Sequence, residues 1–297
     1  PRSPYLELQR RDQALFVAGW RLVTGNAPFC RTTVPAIGLL LHDRLTYSDP
    51  DAAGAALGLR GDIAVQAVAA GSPAARLNVQ VGAVVTALGN RAVATAFPPA
   101  DPSWTRLGAL NRAMTADLTR DGAIELAWQL GDQRPAQARI HAVQACPSRF
   151  EVTGLGQRAV ADGERVVFGD RFPGFDWPED EFAAAVAHEL AHNLLGHRAW
   201  LDRAGRSRAN VRLTEDEADR LAPWLLANAG YDPAAAVRLL QRWGPDHDGG
   251  LLRKSTHARW RDRAAAIAAE LPLIERARAT AGGKADWTAG FRRTTGG

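Results

Sequence analysis

Apolar positions recur at helical spacing at both ends of this chain and at strand-like spacing between them. Residues 5–24 place Leu8, Leu15 and Leu22 on one stripe with Phe16 and Val23 beside it, then run into the turn Gly25-Asn26-Ala27-Pro28, so a packed helix is expected there. Short β-type runs follow: Ile63 to Val68, Val84 to Leu88, Ile124 to Leu130 and Ala136 to Val143, interrupted by a helical stretch near Ser103 to Leu118. From Phe150 the pattern turns mostly helical, with one strand expected at Arg165 to Phe168, and a Gly/Thr-rich tail from Ala281 need not be ordered. The expected fold class is α+β. Its expected parts are an N-terminal helical segment (1–42) packing on the helical domain, a small strand-rich module (43–145), a mostly helical domain (146–280) and a tail (281–297).

The helical domain contains His188-Glu189-Leu190-Ala191-His192. At about 100° per residue, positions four apart return to nearly the same helix face, so both imidazoles can reach one ion while Glu189 lies beside it. Pro178 and the acids Glu179, Asp180 and Glu181 mark the start of this helix, and Gly196, His197 and Arg198 mark its stop. Phe182, Val186, Leu190 and Leu194 form a packing stripe distinct from the histidine face.

A catalytic zinc takes three protein ligands and leaves one position for water, and two His with one Glu is a known set. Thr214-Glu215-Asp216-Glu217-Ala218-Asp219 reads as the start of a second helix, with Thr214 and Glu217 forming a capping box. Glu215 is then available as third ligand, and Asp219, one turn on, can orient a ligand histidine through its second nitrogen. Asp216 and Glu217 read as complements to the helix dipole, and Pro223 is expected to kink the helix. Metzincins need a histidine six residues after His192, where this chain has Arg198.

Two stretches carry family resemblances. Gly71-Ser72-Pro73-Ala74-Ala75-Arg76-Leu77-Asn78-Val79-Gln80-Val81-Gly82 resembles the bacterial PDZ pattern, with Asn78 where that pattern has glycine. This implies a PDZ-like module with a candidate peptide ligand, and Leu57-Gly58-Leu59 could be its carboxylate-binding loop. The helical domain resembles the HtpX and prenyl-protease-like zinc metallopeptidases through His188 to His197, Glu215 to Asp219, Ala229-Gly230-Tyr231-Asp232-Pro233 and Ser255-Thr256-His257. That resemblance implies a zincin-type domain with one zinc per chain on His188, His192 and Glu215, and Glu189 as general base. It further implies Arg263 as a supporting residue. His257 would either close the resting site or stabilise the oxyanion, with His247 as its rival. It also implies that Arg165, Val166, Val167 and Phe168 form an edge strand above the active-site helix, where an extended peptide pairs by main-chain bonds. His42 and His141 read as ordinary module residues.

The resulting expectation is a zinc endopeptidase acting on extended or misfolded protein segments. The alternative is a cell-envelope chaperone or adaptor whose zinc site is closed or non-catalytic. With 46% hydrophobic and 23% charged residues the composition is that of a globular protein, and a formal charge of +4 with scattered arginines argues against nucleic-acid binding. No apolar stretch approaches the roughly 20 residues of a membrane span. Cys30 and Cys146 could be buried thiols, a metal pair or a disulfide; their flanking of the module favours the disulfide and an oxidising compartment. The chain starts at Pro1 and its only methionine is Met114, so a removed signal or lipid anchor is expected, with a periplasmic or secreted location and the cytoplasm as alternative.

Overall fold

The computed structural model describes residues 3–246, 259–280 and 282–295. The Ser255-Thr256-His257 motif and His247 lie outside the described residues. Two compact units divide the chain, one formed by residues up to Val17 with Val34–Ala145, the other by Ala18–Thr33 with everything from Cys146. The expected boundary at residue 42 thus falls at 33, and the first helix, α1 (Pro4–Gly25), contributes to both units.

The first unit is strand-rich. Its elements are β1 (Val34–Ala36), β2 (Leu39–Asp43), α2 (Pro50–Leu57), β3 (Ile63–Val68), α3 (Pro73–Arg76), β4 (Val84–Leu88), β5 (Arg91–Ala92), α4 (Val93–Ala96), α5 (Trp104–Asp121), β6 (Ala123–Gln129), β7 (Ala136–His141) and β8 (Val143–Ala145). An antiparallel sheet runs β2-β3-β4-β6-β7 with β5 paired to β4, while β1 pairs with β8. Alternate positions of these strands supply its core, including Val65, Val85, Leu126 and Ile140, and α5 adds Leu110 and Leu118. Asn78, just past the end of α3, adopts a left-handed backbone (φ 58°), which asparagine tolerates better than most residues. Leu57-Gly58-Leu59 is not an anion cradle. Gly58 caps α2 with φ 64°, and the amides of Gly58 and Leu59 are spent on the carbonyls of Ala55 and Gly54.

The second unit is mostly helical: β9 (Arg149–Thr153), β10 (Ala159–Ala161), β11 (Arg165–Gly169), α6 (Glu179–Leu194), α7 (His197–Ala204), α8 (Arg208–Asn228), α9 (Ala235–Trp243), α10 (Trp260–Thr280) and α11 (Trp287–Gly290). α6 is buried on every side from Glu181 to Ala191 rather than along one stripe, because α8, α9 and the small sheet all pack on it. Alanines at 183, 184, 185, 187 and 191 allow that close approach. At the other end of the unit a Cβ on Gly25 would lie 2.5 Å from the Asn228 carbonyl oxygen, so only glycine lets α1 meet the end of α8.

Cys30 and Cys146 are joined by a disulfide, Cα to Cα 5.6 Å, which ties the two chain segments of the helical unit across the residues of the strand-rich one. The tail is ordered over 282–295, contrary to its composition. Ala285, Trp287 and Phe291 are buried, and the Trp287 indole donates to Asn26 Oδ1 at 3.1 Å. Among the described residues no helix is long and apolar enough to cross a membrane.

Candidate metal centre

α6 and α8 bring the site together. His188 and His192, one turn apart on α6, hold their Nε2 atoms 3.3 Å from each other. From α8, Glu215 places Oε2 3.4 Å from His188 Nε2 and Oε1 3.6 Å from His192 Nε2. Tetrahedral zinc holds N and O ligands at about 2.0 to 2.1 Å, which sets any two of them about 3.3 Å apart. Ligand atoms of these three residues all fall within 4.8 Å of one another, so the donor set and its spacing fit a divalent metal ion.

The local electrostatics favour positive charge at this point. Burial pushes His188 down, but the carboxylates of Asp219 and Glu215 outweigh it and raise its pKa to about 10. Burial dominates at His192 and lowers it to about 3. Glu189, 3% exposed, is pushed up to about 7 by burial, with Glu215 adding to the rise and His188 opposing it. A carboxyl poised there can both accept and release a proton at neutral pH.

Asp219 lies 3.0 Å from His188 Nδ1, an ion-pair approach that is not aligned as a hydrogen bond. The guanidinium of Arg263 on α10 donates to both Asp219 oxygens, at 2.5 and 2.8 Å. Burial alone would raise the Asp219 pKa; Arg263 and His188 hold it below the ordinary carboxylate range.

α8 begins seven residues earlier than the capping pattern suggests. Ser207 caps it by accepting from the Asn210 amide, so Thr214 and Glu217 stand inside the helix. Thr214 donates back to the Val211 carbonyl, and Glu217 is fully buried instead of serving a helix end. Glu217 accepts from His197 Nε2 at 3.0 Å, and His197 Nδ1 lies 2.9 Å from His192 Nδ1. Neither His197 nor Glu217 stood out as functional in the sequence; a histidine five positions after His192 was the available signal. α8 itself runs through Pro223 as one helix.

Arg165 to Phe168 are not an edge strand. They lie in β11, the middle of the sheet, parallel to β9 on one side and antiparallel to β10 on the other. The outer strands of this sheet are β10 and β9, and of these two it is β10 that packs on α6. Bonds from Gly169 N to Arg158 O and from Asp162 N to Arg165 O fix the alternation, so the main-chain groups of Ala159 and Ala161 point away from β11. Asn193, directly after His192, holds the tip of this hairpin, accepting from the Gly163 amide at 2.7 Å and donating to the Arg165 carbonyl at 3.0 Å.

Compared with protein-family models, curated proteins and solved structures, the chain matches none of them.

Proposed function

We propose that the chain is a zinc-dependent endopeptidase similar to the HtpX and prenyl-protease-like group, cutting extended or misfolded protein segments. The observation that carries this reading is the convergence of ligand atoms of His188, His192 and Glu215 within 4.8 Å of one another, with the buried Glu189 next to His188 in the chain. Bound zinc would supply a Lewis acid that polarises the scissile carbonyl and lowers the pKa of water to about 7. Glu189 takes the proton from the attacking water on a carboxylate oxygen and gives it to the leaving amide nitrogen. Asp219, clamped by Arg263, holds the His188 ring from behind. An extended peptide adds to the outward main-chain groups of Ala159 and Ala161 on β10, so recognition rests on backbone more than on side chains.

The zincin-type reading of the helical unit rests on α6, α8 and the small sheet packed on α6. The PDZ-like reading of the other unit rests on the Gly71-Ser72-Pro73-Ala74 turn, on Asn78 and on the free edge of β2 beside α5, which would replace Leu57-Gly58-Leu59 as the peptide-binding edge. The disulfide supports a periplasmic or secreted location.

Glu189→Gln tests the reading. Hydrolysis of an unfolded protein substrate is expected to vanish while zinc content is unchanged. Cleavage that survives the substitution contradicts the assigned base; a wild-type chain that protects unfolded clients without cutting them favours the chaperone alternative.

A further inference from the structure

His197 and Glu217 have no place in the proteolytic scheme, yet they are among the most deeply buried polar residues, at 1% and 0% exposure. Glu217 is surrounded by donors. The amide and hydroxyl of Thr294 donate to Oε1, the hydroxyl at 3.2 Å, and the Thr295 amide donates to the same oxygen at 2.7 Å. The Thr295 hydroxyl donates to Oε2 at 2.8 Å, and Arg293 Nη2 lies 3.6 Å from it. Arg293 is itself fixed to the Leu195 carbonyl at the end of α6. Such a carboxyl is ionised and can only accept, so His197 must donate from Nε2.

That requirement propagates. A neutral imidazole carrying its proton on Nε2 has a lone pair on Nδ1, and the atom 2.9 Å away is His192 Nδ1. His192 must then carry its proton on Nδ1, which leaves the lone pair of Nε2 directed at His188 and Glu215. We infer that segment 293–295, Glu217 and His197 form a positioning relay that fixes the His192 tautomer and ring so that Nε2 is the ligating nitrogen. His188 has a different support, Asp219 and Arg263. Each ligand histidine is thus held from behind by its own carboxylate, one contacting the imidazole directly and the other through a second imidazole. His197 contacts the far nitrogen of His192, not its Nε2, and acts through that ring.

The inference rests on the metal-site reading for its zinc readout but not for its tautomer readout. Long-range proton–nitrogen NMR of the zinc-free chain is expected to show His192 protonated on Nδ1 and His197 on Nε2. His197→Phe, which keeps the ring and removes both nitrogens, is expected to release His192 into a mixture of tautomers. The same variant should lose zinc to a chelator about 10- to 100-fold faster than wild type, the usual effect of removing a partner of a ligand. A chain ending at Arg292 should show a smaller acceleration in the same direction. Wild-type His192 protonated on Nε2 overturns the relay, as does zinc release from folded His197→Phe within twofold of wild type. Should His197→Phe not fold, the wild-type tautomers decide the matter. Absence of zinc binding by the wild-type chain, with the expected tautomers present, would sink the metal-site reading and leave the relay standing.

Discussion

Arg263 grips both oxygens of Asp219, at 2.5 and 2.8 Å, while Asp219 Oδ1 stands 3.0 Å from the outer nitrogen of His188. Arg263 and Asp219 are 6% and 4% exposed, so the pair is a desolvated ion pair whose carboxylate also faces a candidate ligand. Removing one partner of a buried pair leaves the other charge uncompensated and costs about 3 to 5 kcal/mol. Arg263→Met is therefore expected to lower the unfolding free energy by that amount in urea titration. Asp219→Asn should weaken zinc binding about 10- to 100-fold, measured by chelator competition, since the asparagine keeps the shape and loses the charge behind His188.

The Cys30–Cys146 bond spans a sequence separation of 116. In the chain-entropy model, closing a loop of that size restricts the unfolded chain by about 5 kcal/mol. A chain with both cysteines changed to serine should unfold at correspondingly lower urea. Reducing agent should shift the wild-type midpoint and leave the double variant where it is.

His42 couples the strand-rich unit to pH. The ring is buried, with Nδ1 2.9 Å from the Tyr47 hydroxyl and Nε2 without a hydrogen-bond partner, and burial lowers its pKa from 6.5 to about 4. Between those values the unfolded chain takes up a proton that the folded chain refuses. Stability therefore falls as pH drops from 6.5 towards 4 and is unaffected by this group above 6.5. Comparing urea unfolding at pH 7 and pH 4.5, wild type should lose about 2 to 3 kcal/mol more than His42→Phe. Equal losses would mean that the ring accepts its proton inside the fold.

What could be read in the sequence follows from how local each feature is. The His188-Glu189-His192 face is set by helical geometry within one turn, so its spacing alone announced it. Glu215 joins the two histidines as the spacing predicts, although α8 starts earlier than its sequence suggests: Thr214 resembles a cap, but Ser207 is the one used. The Glu217–His197 pair depends on α7 folding back after Gly196, whose left-handed backbone (φ 68°) turns the chain, and on threonines 77 and 78 residues further on. Nothing local signals contacts of that range. The family resemblance implies an edge at β11, whereas the five-residue β9 covers that side by parallel pairing with a strand that begins 12 residues after β9 ends, a contact no local pattern signals. The tail looked unstructured from its glycines and threonines, yet Trp287 and Phe291 anchor it in the helical unit.

The central claim is that His188, His192 and Glu215 together hold one metal ion. The most direct test is the zinc content of the chain after loading and gel filtration, wild type against Glu215→Ala. The account predicts about one zinc per wild-type chain and less than about a tenth of that in a folded Glu215→Ala, because an open tetrahedral site with two protein ligands binds far more weakly than one with three. A wild-type chain that carries no zinc, or a folded Glu215→Ala that keeps its full complement, would contradict it.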